Sequence, residues 1–171
     1  MLYHVVMAGH IHAQRPSAGL AERTIETRLR DAAGRCAARG ERLTALRRDV
    51  LRLILAADRP IRAYALIDQL AHAGRAKVGP PTVYRTLDFL LEHELIHRIE
   101  SASAFIACPD SDAPHSAQFV ICDGCGAATE LHDDGLARAL QRRSRSLGFT
   151  VTRQIIEARG LCPSCQTEPR P

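Results

Sequence analysis

The chain has 171 residues, which is enough for one large domain or two small ones, and 46% of them are hydrophobic, which is enough to form a buried core. No apolar run approaches the ~20 residues that span a membrane, and the apolar start lacks the basic residues of a signal peptide, so we expect neither a membrane protein nor a secreted one. Residues 1–100 carry a net charge of +5 and residues 101–171 a net charge of −1, which favours a polyanion-binding first half joined to a second half with another role.

The first half of the chain predicts four helices. Residues 20–39 are dominated by Ala and Arg, and Thr44 is the expected N-cap of a second helix whose apolar residues recur at helical spacing. A third helix is expected over residues 63–73. The fourth starts at Pro80, because proline is tolerated in the first turn of a helix.

Two short strands with alternating apolar residues follow, over residues 95–99 and 104–107. Helices followed by a small hairpin predict a winged helix, a fold in which the helix before the wing enters the major groove of DNA. Residues 108–116 are polar and rich in Pro and Asp, and we expect them to form a linker or hinge.

The second half predicts a small α/β unit. Strands are expected over residues 118–122 and 127–131, a helix over residues 134–147, and a last strand over residues 149–155, where apolar residues alternate. Because such a sheet has few strands, we expect one of its edges to pair with a second copy of the chain.

Two Cys-x-x-Cys pairs, Cys122/Cys125 and Cys162/Cys165, indicate a metal site. Four thiolates in two close pairs suit one tetrahedral Zn²⁺ in a closed structural site. The alternative is two disulfides, which is disfavoured because the rest of the chain is typical of a cytoplasmic protein, where thiols stay reduced. The remaining thiol of the first half, Cys36, is expected simply to be buried in the first helix.

Further metal-type ligands lie around the hinge, at His97, Cys108, His115 and Glu130. They are spread along the sequence, so their spacing alone establishes nothing. Each has an ordinary alternative: a surface histidine, a buried apolar thiol or a solvated carboxylate.

The run from His93 to His97 matches HExxH, the signature of zinc metalloproteases. That chemistry needs both histidines on one helix face, with Glu94 activating a zinc-bound water. Here the predicted helix gives way to a strand near His93, so the two histidines are not expected to converge. A zinc hydrolase is therefore the disfavoured alternative from a different class of function.

Four motifs resemble the ferric uptake regulator superfamily, most closely its zinc uptake branch. They are AYALID at residues 63–68, PPTVYRTLDFLL at 80–91, FVICDGCG at 119–126 and GLCPSC at 160–165. The resemblance extends over residues 20–165, and the motifs are specific in combination rather than singly.

The resemblance implies an α+β protein with a winged-helix DNA-binding domain over residues 20–107, a hinge over 108–116 and an α/β dimerisation domain over 117–171, after a flexible extension over 1–19. It implies a cytoplasmic, zinc-responsive transcriptional repressor without enzymatic activity. The repressor would bind double-stranded operator DNA as a homodimer when zinc is loaded and control zinc uptake genes. An iron- or peroxide-sensing regulator of the same superfamily is the alternative.

The resemblance also implies two Zn²⁺ ions per chain. A structural ion would be held by the four paired cysteines, and a regulatory ion by His97, Cys108, His115 and Glu130. A thiolate among mixed ligands suits zinc over iron, and the His-His-Asp-His run of the iron sensors is reduced here to His115 alone. His132, two residues after Glu130, is a rival ligand.

By the same resemblance, DNA contacts are expected on the fourth helix, where Thr82, Tyr84 and Arg85 lie at or beyond its first turn. Arg85 suits a guanine edge or a phosphate, and Tyr84 suits a thymine methyl group or a phosphate. The alternative is an ordinary exposed helix face. Contacts to the DNA backbone, which set register and salt dependence, are expected from three residues outside this helix: Tyr64, Arg75 and Lys77.

Overall fold

The structure is a computed structural model that describes residues 21–75, 77–108 and 117–167. Its helices are α1 Glu22–Ala38, α2 Ala45–Ala56, α3 Ala63–Leu70, α4 Pro80–Glu92, α5 Asp134–Ser146 and α6 Pro163–Thr167. Its strands are β1 Ile61–Arg62, β2 Ile96–Ile99, β3 Ala104–Ala107, β4 Ala117–Cys122, β5 Ala128–Glu130 and β6 Ile155–Gly160. The predicted extension and, except for Cys108, the predicted hinge lie outside the described residues.

Helices α1 to α4 pack around one apolar core. The Thr44 side chain accepts a hydrogen bond from the Arg47 backbone N–H, so the predicted N-cap of α2 is confirmed. Two prolines occupy the first turn of α4, where no intrahelical N–H is needed. Cys36 is 1% exposed within this core, as expected. The largest fully buried side chains of these helices are Leu29, Val50, Leu66, Leu70, Val83, Leu87 and Leu90.

Strands β2 and β3 form a hairpin, the wing, directly after α4. Strand β1, which precedes α3, pairs with β3 and completes a three-stranded antiparallel sheet in the order β1-β3-β2. Strands β2 and β3 are joined by a short 3₁₀ turn over Glu100–Ala102, which ends at Ser103 with a φ of +47°. Three residues separate α4 from β2, so the orientation of the wing and that of α4 are closely tied.

The second sheet has the order β5-β4-β6. Strands β4 and β5 form an antiparallel pair, whereas β4 and β6 are parallel, and α5 lies in the crossover that a parallel pair requires. The predicted α+β fold, a winged helix followed by a small α/β unit, is confirmed.

The last strand does not lie where the alternation predicted it. The prediction was residues 149–155, but β6 runs over Ile155–Gly160. The pairing register explains the difference, because Ala117, the first residue of β4, pairs with Ile155. Within the described part of the chain, no strand faces residues 149–154, and an alternating pattern cannot form sheet without a partner.

The wing packs against the second sheet through a small apolar cluster. Ile99 of β2 is 0% exposed and Phe119 of β4 is 1% exposed, and both belong to a cluster with Ile121 and Ala128. Wing residues Ala102 and Ile106 border the cluster, together with Ala117. This contact brings the end of β3 and the face of the second sheet together.

Helix α5 leaves an apolar surface uncovered. None of its residues is buried. Leu136 and Leu140 are each 42% exposed, and just after the helix Leu147 is 64% and Phe149 68% exposed. Leu136 and Leu140 are four residues apart and so lie on one face of the helix, and exposed apolar side chains grouped on one element are typical of an interaction surface. No described helix combines the length and apolarity needed to cross a membrane.

Candidate metal centres and nucleic-acid interface

The two Cys-x-x-Cys pairs converge on one point. Their four sulfur atoms all lie within 4.8 Å of one another, and Cys125 Sγ is 3.8 Å from Cys162 Sγ. A disulfide has an S–S distance of about 2.0 Å, and all four thiols are free, so the structure does not contain the disulfide alternative. Four sulfurs at ~2.3 Å from a tetrahedrally coordinated Zn²⁺ are separated by roughly 3.8 Å. The cluster therefore fits zinc.

Backbone hydrogen bonds stabilise the thiolate form of one cysteine in this cluster. The Cys162 N–H donates to Cys122 Sγ over 3.3 Å, and hydrogen bonds from the backbone of Cys162 and then of Cys125 lower the pKa of Cys122 to about 6. By contrast, burial and the neighbouring sulfurs raise the pKa of Cys165. Four thiolates cannot share this space without a positive charge between them, and a bound divalent cation supplies it.

The first cysteine pair depends on Gly124. A Cβ atom at this position would lie 3.1 Å from both Cβ and Sγ of Cys165, which is closer than ordinary van der Waals contact. The absence of a side chain lets the turn after β4 approach α6. Gly126, which closes the turn, has a φ of +72°, a conformation that glycine adopts without strain.

A second cluster brings together His97, Cys108 and Glu130, whose ligand atoms all lie within 4.8 Å of one another. His97 Nε2 is 3.3 Å from Glu130 Oε1, and Cys108 is 2% and Glu130 5% exposed. The three residues come from the wing, from the residue after β3 and from the second sheet. One ion held by all three would join the wing to the second sheet.

The surroundings hold these side chains in place. The ring of Phe119 packs edge-on against His97, with centroids 5.6 Å apart. The Cys108 N–H donates to the Leu95 carbonyl over 3.1 Å, and the guanidinium of Arg28 on α1 donates to the Cys108 carbonyl. Arg28 was not predicted from the sequence, and no local signal identifies it because the partners are 80 residues apart.

The donor set of the second cluster fits a divalent metal. An imidazole, a thiolate and a carboxylate form a mixed N/S/O set that suits zinc. Burying a carboxylate beside a thiol is unfavourable unless a cation or hydrogen bonds compensate. The predicted fourth ligand, His115, lies outside the described residues. His132 is exposed, and it does not belong to either cluster found among the described residues.

The HExxH run does not form a protease site. His93 is the C-cap of α4, Glu94 has a φ of +54°, and His97 lies on β2. The prediction that helix gives way to strand here is confirmed. The ring of His93 packs on Phe89 at 4.1 Å between centroids, whereas His97 belongs to the second cluster. The two histidines therefore do not converge on one metal site.

The outer face of α4 carries the residues that were predicted to contact DNA. Val83 and Leu87 are buried in the core, and this orients Thr82, Tyr84 and Arg85 outward, all of them exposed. Their exposure agrees equally with an ordinary solvated helix face, so their role in DNA binding stays a prediction.

The residues predicted to contact the DNA backbone differ among themselves. Tyr64 is 70% exposed on α3, and Lys77 is exposed in the segment before α4. Arg75 forms an ion pair with Asp49 of α2. Part of its positive charge is therefore compensated within the protein.

Known proteins are similar to this chain in sequence and in fold. The zinc uptake regulation protein of Escherichia coli (strain K12) is 42% identical over 131 residues, 76% of either chain. The structure of a zinc uptake regulator complexed with zinc and DNA superposes with a TM-score of 0.81 at 40% identity, covering 84% of this chain and 96% of that one. Holo XcZur gives a TM-score of 0.76 at 42% identity, covering 82% and 98%.

The similarity to an iron regulator is more limited. The ferric uptake regulation protein of Campylobacter jejuni is 31% identical over 91 residues, which cover 53% of this chain and 57% of that protein. A family profile described as the ferric uptake regulator family matches residues 38–159, which is well over half of the chain. The chain belongs to the ferric uptake regulator family.

Proposed function

We propose that this protein is a zinc-responsive transcriptional repressor that binds double-stranded operator DNA as a homodimer in the cytoplasm when zinc is loaded, and that it controls zinc uptake genes. One observation carries the proposal: His97, Cys108 and Glu130 form a buried metal-type cluster that joins the wing to the second sheet. The similarity to a regulator complexed with zinc and DNA supports the same conclusion.

Zinc is the metal that the donor chemistry favours. The second cluster contains a thiolate, which is softer than the ligands that iron and manganese prefer. The match to the zinc uptake regulation protein, at 42% identity over 76% of its length, is also more extensive than the match to the iron regulator. Both observations favour zinc over the iron- or peroxide-sensing alternative.

The two clusters would have different roles. The four-cysteine cluster joins the turn after β4 to α6, and both elements belong to the second sheet unit. An ion there would be permanent and structural. The cluster of His97, Cys108 and Glu130, completed by His115, would be the regulatory site, with one zinc at each cluster. We assign residues 20–107 to DNA binding, 108–116 to the hinge and 117–171 to dimerisation.

Metal binding at the regulatory site would act by shifting a population of conformations. A ligand favours the state in which its contacts are complete. The regulatory contacts are complete only when the wing is docked on the second sheet, because their donors come from both. Since β2 follows α4 after three residues, docking of the wing also sets the orientation of α4.

Dimerisation would use the uncovered surface of the second unit. Leu140, Leu147 and Phe149 are exposed on or just after α5, and a second copy of the chain would cover them. A dimer presents two α4 helices related by twofold symmetry, and such an arrangement reads two half-sites of an operator in successive turns of the major groove.

DNA binding measured against free zinc tests the proposal. The purified protein would be titrated onto promoter DNA in zinc buffers, with a chelator strong enough to empty the regulatory site while one zinc per chain is retained. We expect tight binding only at the higher zinc levels. Equal affinity with and without regulatory zinc would refute zinc sensing. Competition with Fe²⁺ and Mn²⁺ in the same assay distinguishes the iron-sensing alternative.

A further inference from the structure

Glu157 of β6 lies in the same row of paired residues as Phe119 of β4 and Glu130 of β5. Phe119 of β4 pairs with Glu130 on one side and with Glu157 on the other. Side chains of paired residues project from the same face of a sheet. The two carboxylates therefore flank Phe119 on the face that the wing covers.

The two carboxylates contact different parts of the wing. Glu130 approaches His97 of β2. Glu157 Oε1 accepts the Glu100 backbone N–H over 2.6 Å, and Glu157 Oε2 accepts the Ser101 backbone N–H over 3.1 Å. The accepting carboxylate and the donating turn are 56 and 57 residues apart in sequence, so this contact joins the two units directly.

The contact adjoins the apolar cluster between the units. Ile99, which immediately precedes the Glu100–Ala102 turn, is 0% exposed and packs with Phe119. The interface between the wing and the second sheet therefore has an apolar centre around Ile99 and Phe119. The hydrogen-bonded carboxylate of Glu157 lies on one side of Phe119, and the cluster that contains Glu130 lies on the other. Hydrogen bonds to an ionised acceptor are stronger than those between neutral groups.

We propose that Glu157 is a positioning residue that holds the wing on the second sheet without any metal, and that it thereby sets how much zinc the protein needs to bind DNA. This inference rests on the proposed function. Both the Glu157 contact and the regulatory cluster are formed in the same arrangement. The two sets of contacts therefore favour the same docked state rather than competing.

The expected effect follows from the docked fraction. When only one conformation binds a ligand, the apparent dissociation constant equals the intrinsic value divided by the fraction in that conformation. Losing the contacts of Glu157 lowers the docked fraction in the absence of regulatory zinc. For a partly exposed, charge-assisted contact we expect the zinc concentration at half-maximal DNA binding to rise about threefold to tenfold.

The test variant is Glu157→Gln. The control is Asp134→Asn, which makes the same change of charge in the second unit, at a side chain that is 90% exposed. Two quantities are measured: the zinc midpoint of DNA binding, and hydrogen exchange of the Glu100 and Ser101 amides with the regulatory site emptied. We expect Glu157→Gln to raise the midpoint and to accelerate exchange at both amides. DNA affinity at saturating zinc should stay within about twofold of wild type, and Asp134→Asn should change nothing.

Two further outcomes are informative. Glu157→Asp keeps the charge but withdraws the carboxylate by one methylene, so it should give an intermediate midpoint, and it carries the test if Glu157→Gln does not fold. Unchanged midpoints and unchanged amide exchange in the folded variants would overturn the inference.

If wild-type DNA binding did not respond to zinc, the proposed function would fail, while amide exchange would still report whether Glu157 holds the wing.

Discussion

His97 and Glu130 belong to different sheets, yet His97 Nε2 and Glu130 Oε1 are 3.3 Å apart, and their side chains are only 13% and 3% exposed. A histidine of the wing and a carboxylate of the second sheet therefore meet where both are largely shielded from solvent. Cys108 completes a three-residue cluster with them. In the proposed function, a metal ion bound by this cluster would hold the two units in one arrangement, because its donors come from both.

Removing one donor of this cluster should weaken zinc binding at that site alone. Glu130→Gln keeps the size of the side chain but removes its charge, and we expect the affinity for the second zinc to fall by at least about tenfold. Zinc stoichiometry and competition with a chromophoric chelator measure the change. The control is Glu92→Gln, at an exposed carboxylate on α4, which should bind both ions normally. Loss of both ions in Glu130→Gln would contradict two independent sites.

Two glycine substitutions should have opposite effects on stability. Gly124→Ala places a Cβ atom 3.1 Å from Cys165 Cβ and Sγ, and such overpacking costs about 1–3 kcal/mol. Gly34→Ala lies within α1, where a Cβ atom meets nothing within 4 Å, and it should stabilise the protein by about 0.5–1 kcal/mol. Thermal unfolding of the two zinc-loaded variants measures both effects. Equal shifts of Tm would contradict the close approach between the turn and α6.

The contribution of Glu157 to stability should disappear in acid. Partial burial raises the pKa of this carboxyl, but hydrogen bonds from the Ser101 side chain and from the N–H groups of Glu100 and Ser101 outweigh burial, and Arg159 adds to them, so the pKa is lower than its ordinary value of 4.5. A lowered pKa in the folded protein means stability that is present above 4.5 and is lost as the pH falls through the folded value.

The measurement is the difference in unfolding free energy between wild type and Glu157→Gln as a function of pH. We expect a constant difference at neutral pH that shrinks below pH 4.5. Both proteins are measured with the regulatory site emptied, because they differ in zinc midpoint and loss of that zinc in acid would not cancel between them. Loss of the structural zinc affects both proteins alike. A difference that stayed constant down to pH 3, or that grew in acid, would show that the carboxylate form does not stabilise the fold.

Arg85 should contribute to DNA affinity if α4 enters the major groove. For Arg85→Ala we expect a loss of about 1–3 kcal/mol in binding when the side chain reads a guanine. If it contacts a phosphate instead, the salt dependence should fall by about one unit of slope. The control is Arg138→Ala, at an arginine of α5 that is 65% exposed. Fluorescence anisotropy at several salt concentrations separates the two cases, and wild-type affinity in Arg85→Ala would exclude both.

The apolar surface around α5 should mediate self-association. Leu147 is 64% exposed in the single chain, and Leu147→Glu would place a charge in the proposed dimer interface. Because burying an unpaired carboxylate costs more than the ~1.4 kcal/mol that corresponds to a tenfold change, we expect self-association to weaken at least about tenfold. Sedimentation velocity measures this effect, with Arg142→Glu on the same helix as the control. A dimer of unchanged stability would place the interface elsewhere.

The sequence alone was sufficient where the chemistry is local. Cys122 and Cys125, like Cys162 and Cys165, are near neighbours in sequence, so each pair predicts its own metal knuckle. The N-cap at Thr44 and the break after His93 were also predicted, because capping and helix termination depend on a few consecutive residues. The winged helix followed from the same local signals.

Tertiary structure alone decided the features that depend on pairing between distant segments. Strand β6 begins at Ile155 rather than Phe149, because its register is set by β4 and not by its own alternation. Glu157 gave no signal in the sequence, since its partners lie more than 50 residues away. The physical reason is that sequence patterns report periodicity and burial, whereas a contact between two sheets exists only after both have formed and docked.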